Sequence, residues 1–233
     1  MTCENEAVLH MPLIGDKCPE FEAVTTQGSI KFPQDYKGKW IVLFSHPADF
    51  TPVCTTEFMT FAHRANELTA INTQLVGLSV DSISSHIAWL RRIKDIKWKD
   101  MENVDVEFPL IEDISMNVAN KFGMIMPGQS STQAVRAVFI IDPNGVIRLI
   151  LYYPMSTGRN FDEIKRALIA LQKADKDKCA TPMNWQPGDD TIVSAPKSMS
   201  LANERAKLKV GRENAKVGEQ YCLDWFLCFN RES

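Results

Sequence analysis

No apolar run in this chain approaches the length of a membrane span, so a transmembrane protein is not expected. The first residues, MTCENEAVLHMPL, are acidic and have no apolar stretch of signal-peptide type. There is no long run of Lys or Arg, and the formal net charge is −3. Binding to nucleic acid or to anionic membranes is therefore not expected. Internal repeats and low-complexity segments are absent, which excludes solenoids and disordered arrays. No C-x-x-C occurs, which argues against a dithiol exchange site. The reading that remains is a cytoplasmic globular protein in a compartment that keeps thiols reduced.

What is present is ordinary globular composition with six cysteines among 233 residues, 45% hydrophobic and 24% charged. The length suits one α/β domain plus an appendage. In a reducing compartment, six cysteines are buried hydrophobes, metal ligands or redox groups rather than a static framework.

Periodicity predicts a buried strand over Trp40–His46 and a helix from about Cys54 to Ile71, with Phe58, Phe61, Ala62, Ala65 and Leu68 inward. A second strand follows over Leu75–Val80. A helix capped near Asp81 carries Ile87, Leu90 and Ile93. Further elements are a short strand at Phe108–Ile111 and a helix from Ser115 to Phe122 ended by Gly123. Strands Val135–Ile141 and Val146–Tyr153 flank the turn DPNG, and an amphipathic helix covers Phe161–Leu171. The alternation predicts a central sheet covered on both faces. After about Ala174 the chain becomes polar and proline-bearing. Ser200–Val210 reads as a short helix. The end, YCLDWFLCFN, is apolar and needs cover. The expected domains are thus 1–174 and an extension, 175–233.

The chemistry concentrates in HPADFTPVCTTE. A strand ends, Pro47 and Pro52 stiffen a loop, and Cys54 falls in the first turn of a helix. There a thiol meets free backbone N–H groups and the positive end of the helix dipole, which favour the thiolate, the nucleophilic form. Thr51 can place its hydroxyl beside the sulfur. The bland alternative is a small buried hydrophobe at a strand–helix junction.

The run PADFTPVCTTE resembles the active-site loop of the peroxiredoxins, P-x-x-x-T-x-x-C, here Pro47, Thr51 and Cys54. The resemblance continues in order through VGLSVDSISSHIAWL, FPLIEDISMNVANKFG, VRAVFIIDPNGVIRLILYYP and TGRNFDEIKRAL. The tail YCLDWFLCFN is similar to the archaeal form of the one-cysteine-like branch. This resemblance implies a thioredoxin-like α/β fold, with a central mixed sheet flanked by helices and a C-terminal dimerisation arm. It implies a thiol-dependent peroxidase acting on hydrogen peroxide and organic hydroperoxides, with no metal and no cofactor. Cys54 attacks the peroxide, with Pro47, Thr51 and Arg136 as its catalytic companions. Arg136 matches the family's substrate-binding arginine; an unpaired buried guanidinium is expensive, though a surface ion pair is the bland alternative.

His46, Glu57 and Arg159 are further candidates near the site. His46 is expected either to touch an oxidised sulfur or to be a hydrogen-bonded core histidine. Glu57 is expected to orient Thr51 or an arginine, or to be an ordinary first-turn acid. Arg159 matches a second arginine near the family's site, or anchors the helix after it. The resemblance implies that Cys228 resolves the oxidised Cys54, with Cys222 in a further exchange. Packing anchors are the alternative for that pair, and a zinc site lacks a second pair of ligands. Cys3, Cys18 and Cys179 have no expected catalytic role.

The implied partners are a hydroperoxide, a thioredoxin- or glutaredoxin-like reductant, and a second copy in a tail-swapped homodimer, assembled as a decamer or similar ring. A competing reading is an oligomeric holdase chaperone or peroxide sensor. Phospholipase activity, associated with some animal relatives, finds no G-x-S-x-G elbow here.

Overall fold

The computed structural model describes residues 11–207 and 211–233. Cys3 lies outside them, as do the last three residues of the helix expected over Ser200–Val210. The chain divides into two compact units, between Phe161 and Asp162.

The first unit is built on a seven-stranded mixed sheet. Its strands are β1 (Phe21–Thr25), β2 (Gly28–Phe32), β3 (Trp40–Ser45), β4 (Thr73–Ser79), β5 (Leu110–Glu112), β6 (Arg136–Ile141) and β7 (Ile147–Tyr153), in the spatial order β2-β1-β5-β4-β3-β6-β7. The β3–β4 and β4–β5 pairs are parallel; the others are antiparallel. The helices are α1 (Pro52–His63), α2 (Ala65–Thr69), α3 (Ile83–Lys94) and α4 (Asn117–Lys121). This is the thioredoxin-like α/β arrangement with helices on the sheet that the resemblance implied.

β3 and β6 are buried at every position, as continuous apolar runs covered on both faces must be. Their alternation sorts side chains to two cores. Ile41 and Leu43 join Ala137, Phe139, Phe122 and Phe32 on one face. Phe44 turns to the other, where its ring meets Phe58 and Phe61 of α1 at 5.5 and 4.4 Å. Each buried phenylalanine contributes about 1.5–3 kcal/mol of apolar burial. Together these contacts press α1 against the sheet and set where its first turn sits.

Two local expectations are corrected. The single helix read from Cys54 to Ile71 starts earlier and is broken. Pro52 at the first helical position loses no hydrogen bond, and Arg64 leaves helical geometry (φ −108°, ψ 8°), separating α1 from α2. In α3, Ile87 is 41% exposed, and the buried stripe is His86, Trp89 and Ile93. The helix is rotated because His86 finds hydrogen-bond partners inside. Ser82 caps α3 by accepting from Ser85 N–H.

The second unit contains most of α5 (Phe161–Asp177), then β8 (Thr191–Ile192), α6 (Met199–Lys207), β9 (Gln220–Asp224) and β10 (Leu227–Asn230). α5 runs on through position 174, past the change in texture. The apolar tail is a hairpin: β9 and β10 pair antiparallel, and β8 adds a third strand on β10. Tyr221 stacks on Phe229 at 5.2 Å and donates its hydroxyl to Asp190 at 2.9 Å. Asp190 also accepts from Arg212 at 2.6 Å, and that partner holds its carboxyl down at about 2. Trp225 and Phe226 at the tip remain about half exposed. No helix among the described residues is long and apolar enough to cross a membrane.

Candidate active site

β3 ends at Ser45, and the chain turns through His46, Pro47, Ala48 and Asp49 before α1. Phe50 takes a left-handed conformation, φ 56°, which a bulky residue adopts only where its surroundings force it. Thr51 is extended at the N-cap, and Pro52 and Val53 precede Cys54. Cys54 thus lies in the first turn, where the amides of Val53 and Cys54 have no carbonyl one turn back. The sulfur is completely buried.

β6 delivers Arg136 to the same place. Its Nη1 donates to Cys54 Sγ at 3.3 Å and to Glu57 Oε2 at 2.8 Å, while Nε donates to the Met155 carbonyl at 2.9 Å. Glu57, one turn after Cys54, is the hub. Arg159 donates to it from Nη2 (2.6 Å), from Nε (2.9 Å) and from its backbone amide (2.8 Å). Arg159 Nη1 also donates to the carbonyls of Ser45 and Ala137, tying together the ends of β3 and β6.

The arrangement has a charge consequence. Two guanidiniums share one carboxylate in a buried site, leaving one positive charge without an anion. An anionic sulfur at Cys54 balances it and is the better acceptor for Arg136. Burial by itself raises the pKa of Glu57, but Arg159 and then Arg136 outweigh it, so the carboxyl is held below its ordinary range.

A stability prediction follows. The carboxylate form of Glu57 stabilises the fold at neutral pH. Because its folded-state value is lowered, that contribution is present above the unfolded value and is lost as pH falls through the folded one. Glu57→Gln leaves the guanidiniums unpaired and is expected to cost about 3–5 kcal/mol at pH 7. Urea titrations of both proteins from pH 7 downward check this: the gap should narrow as acid protonates Glu57 in the parent. A gap independent of pH contradicts it.

The Thr51 hydroxyl donates to the Ala48 carbonyl at 2.7 Å, closing the loop. Its lone pairs remain available. Pro47 is buried in the turn after β3. Of the two readings of Glu57, partnership with arginines is what the geometry contains; no Glu57–Thr51 hydrogen bond occurs.

His46 is completely buried, and Asp49 and His86, which sequence reasoning missed, surround it. His46 Nε2 lies 3.0 Å from Asp49 Oδ1, and His86 Nδ1 lies 2.8 Å from Asp49 Oδ2. The signal was weak: a lone aspartate in a loop and a histidine among helical apolar residues. His46, Asp49 and Asp81 also bring potential metal donors within 4.8 Å of one another. They do not fit an ion. Both Asp49 oxygens already face imidazoles, and Asp81 Oδ2 accepts from Ser79 and from the Asp49 amide.

In the second unit Cys222 and Cys228 are cross-strand partners joined as a disulfide, with 4.0 Å between their Cα atoms. Cys18 is buried, and burial pushes its thiol up to about 12, where it is inert near neutral pH. Cys179 is half-buried and free.

Residues 14–150 match the AhpC/TSA family, and residues 170–207 match the C-terminal domain of 1-Cys peroxiredoxin. The chain belongs to the AhpC/TSA family of peroxiredoxins. A peroxiredoxin of Methanosarcina mazei is 60% identical over 224 residues, covering 96% of this chain and 99% of that one. A yeast mitochondrial 1-Cys peroxiredoxin, solved to explain thiol resolution through glutathione and thioredoxin systems, superposes with a TM-score of 0.79 at 41% identity. It covers 94% of this chain and 99% of its own. The C45S mutant of peroxiredoxin 6 from Arenicola marina gives 0.77 at 33% identity, covering 95% and 99%. This peroxiredoxin is a thiol peroxidase with a tail cysteine pair at disulfide distance.

Proposed function

We propose that Cys54 is the thiol that attacks the peroxide, in a pocket formed with Pro47, Thr51 and Arg136. The observation that carries this is the Arg136 donor 3.3 Å from a buried sulfur, within a cluster that holds one excess positive charge. The thiolate attacks the nearer peroxide oxygen, the O–O bond breaks, and its electron pair leaves on the distal oxygen as water or alcohol once protonated. Sulfur is oxidised to a sulfenic acid. Arg136 meets charge on both the sulfur and the peroxide. Glu57 and Arg159 hold Arg136 in place. The substrates are hydrogen peroxide and organic hydroperoxides.

Cys228 then attacks the sulfenic sulfur, forming a Cys54–Cys228 disulfide and releasing water. Cys222 attacks Cys228, freeing Cys54 and leaving the Cys222–Cys228 disulfide, the bond this structure holds. A thioredoxin- or glutaredoxin-like dithiol reduces that bond; the yeast relative is resolved by glutathione and thioredoxin systems. Cys54 is buried, so the start of α1 must open before the tail reaches it, and short helix ends fray at modest cost.

In this reading residues 1–174 are the peroxidase domain and 175–233 the dimerisation arm. The arm exchanges between two copies, which assemble into a decamer or similar ring in the cytoplasm. The exposed Trp225 and Phe226 of the hairpin tip favour exchange, since apolar surface of that size is usually covered by a partner.

Steady-state peroxide consumption with dithiothreitol tests the enzyme reading. Sustained turnover supports it; protection of an aggregating client without peroxide consumption points to a holdase. The tail assignment is tested with Cys228→Ser. That variant is expected to reduce one equivalent of peroxide in a rapid burst, then stall with a thioredoxin-type reductant and overoxidise more readily. The parent is expected to run as a covalent dimer on non-reducing gels after one equivalent of peroxide. Normal turnover and dimer formation in Cys228→Ser transfers the resolving role to Cys222. Only monomeric bands from the parent place the bridge within one chain or indicate a one-cysteine cycle.

A further inference from the structure

The peroxide chemistry above does not use the buried chain His46–Asp49–His86, and counting its protons gives a definite result. A carbonyl oxygen has no hydrogen to give, so the 3.1 Å contact between His86 Nε2 and the Ile111 carbonyl puts a hydrogen on Nε2. One further hydrogen lies in the 2.8 Å contact between His86 Nδ1 and Asp49 Oδ2. Whichever of those atoms carries it, Asp49 Oδ1 is left as an acceptor. The 3.0 Å contact with His46 Nε2 therefore takes its hydrogen from the imidazole.

Burial opposes ionisation of Asp49, but the hydrogen bonds from His46 and His86 outweigh it and hold the carboxyl below its ordinary range. Burial pushes His46 down against the pull of Asp49, which keeps the ring at one hydrogen rather than two. The other nitrogen, Nδ1, then carries a bare lone pair. It is fully buried and has no hydrogen-bond partner among the described residues. An unsatisfied buried acceptor is a standing cost, and it calls for a reason.

The sheet shows which way this ring faces. Phe44 pairs with Val138, and continuing that register sets His46 opposite Arg136. Side chains opposite one another on neighbouring strands share a face. The His46 ring lies 4.8 Å from Phe58 of α1, one turn after Cys54. The imidazole is thus on the Cys54 side of the sheet. The other charged groups there are Arg136, Glu57 and Arg159, with Asp49, His86 and Asp81 around the loop end.

We propose that Asp49 and His86 are positioning residues of the peroxidase site. They lock His46 as its Nε2–H tautomer, so that Nδ1 stays bare as an acceptor for an O–H group arriving with the peroxide. The hydroxyls of peroxide and of its sulfenic product are donors that the reaction itself brings into the site beside the donor Arg136. The assignment rests on the peroxidase reading for its purpose, but the tautomer is measurable without any activity.

Long-range ¹H–¹⁵N correlation on the reduced full-length chain reads the tautomer directly. His46 is expected to be protonated at Nε2 and bare at Nδ1. A hydrogen on Nδ1 overturns the proposal, whatever the enzyme does. Single-turnover peroxide reduction is then compared among variants whose fold is checked by circular dichroism. His86→Phe removes the support of Asp49 and should slow the step by about 10–100-fold, the usual cost of losing the partner that orients a functional histidine. Asp49→Leu should do the same, because it leaves His46 Nε2 without the acceptor that holds its hydrogen there. His86→Asn, whose amide N–H can take the place of Nδ1–H, should restore most of the rate lost in His86→Phe. Rates within twofold of the parent for both Asp49→Leu and His86→Phe overturn the proposal. A parent chain that does not reduce peroxide at all defeats the peroxidase reading instead, and leaves the tautomer result standing.

Discussion

Cys54→Ser is expected to abolish peroxide consumption while leaving the fold intact. Serine is close in size to cysteine, so it fits the fully buried position. Its hydroxyl can still accept from Arg136 Nη1, and the Glu57–Arg159 cluster is not disturbed. What is lost is the chemistry. An alcohol stays protonated near neutral pH, and its oxygen cannot be oxidised by peroxide as a thiolate sulfur is. Burial holds Cys18 as a thiol, with its pKa pushed up to about 12. Peroxide consumption is followed in single-turnover and steady-state modes, with urea unfolding as the control for the fold. Retention of most of the activity would remove Cys54 from the mechanism and the site built around it.

The second large effect is expected at Arg136. Met approximates the length of the arginine stem but supplies no charge and no N–H. Arg136→Met removes the 3.3 Å donor to the sulfur and the 2.8 Å bond to Glu57 together. The peroxide step is expected to slow by about 10²–10³-fold, the range found when one aligned electrostatic contact to a transition state is lost. The fold should tolerate the change better than Glu57→Gln. Arg159 still makes bidentate contact with Glu57, so the carboxylate remains paired. Stopped-flow rates at limiting peroxide, measured between pH 5 and 8, check this. Because Arg136 acts on the anionic sulfur and on the transition state, the loss should persist at high pH, where deprotonation of the thiol is no longer limiting. A rate within twofold of the parent would take Arg136 out of the site.

The loop was legible because its chemistry is local. Strand, proline turn and first-turn cysteine are consecutive, and the helix start that exposes free amides is set by Thr51 and Pro52. The central strands were legible for the same reason: β3 and β6 are uninterrupted apolar runs, and DPNG marks the hairpin between β6 and β7, whereas β1 and β2, more exposed and polar, were not read. Where local signals conflicted, the reading failed. Ile87 looked like a core residue by spacing, yet His86 took the inward face because Asp49 and the Ile111 carbonyl satisfy both of its nitrogens. Propensity and period cannot register partners 37 and 25 residues away.

By itself the sequence determined the kind of chemistry: a first-turn thiol on an α/β scaffold, a family pattern running through nearly the whole chain, and two tail cysteines six residues apart. Tertiary structure alone decided the electrostatics. Glu57 and Arg159 are separated by 102 residues, and Cys54 and Arg136 by 82; only the pairing of β3 with β6 and the packing of α1 on their shared face bring them together. Tertiary structure also decided that Cys222 and Cys228 sit opposite one another in a hairpin, and that His46 keeps one nitrogen bare. The physical reason is the same in each case. Charge balance, proton placement and disulfide reach depend on distances of a few ångströms between groups that the chain holds far apart until the sheet closes them up.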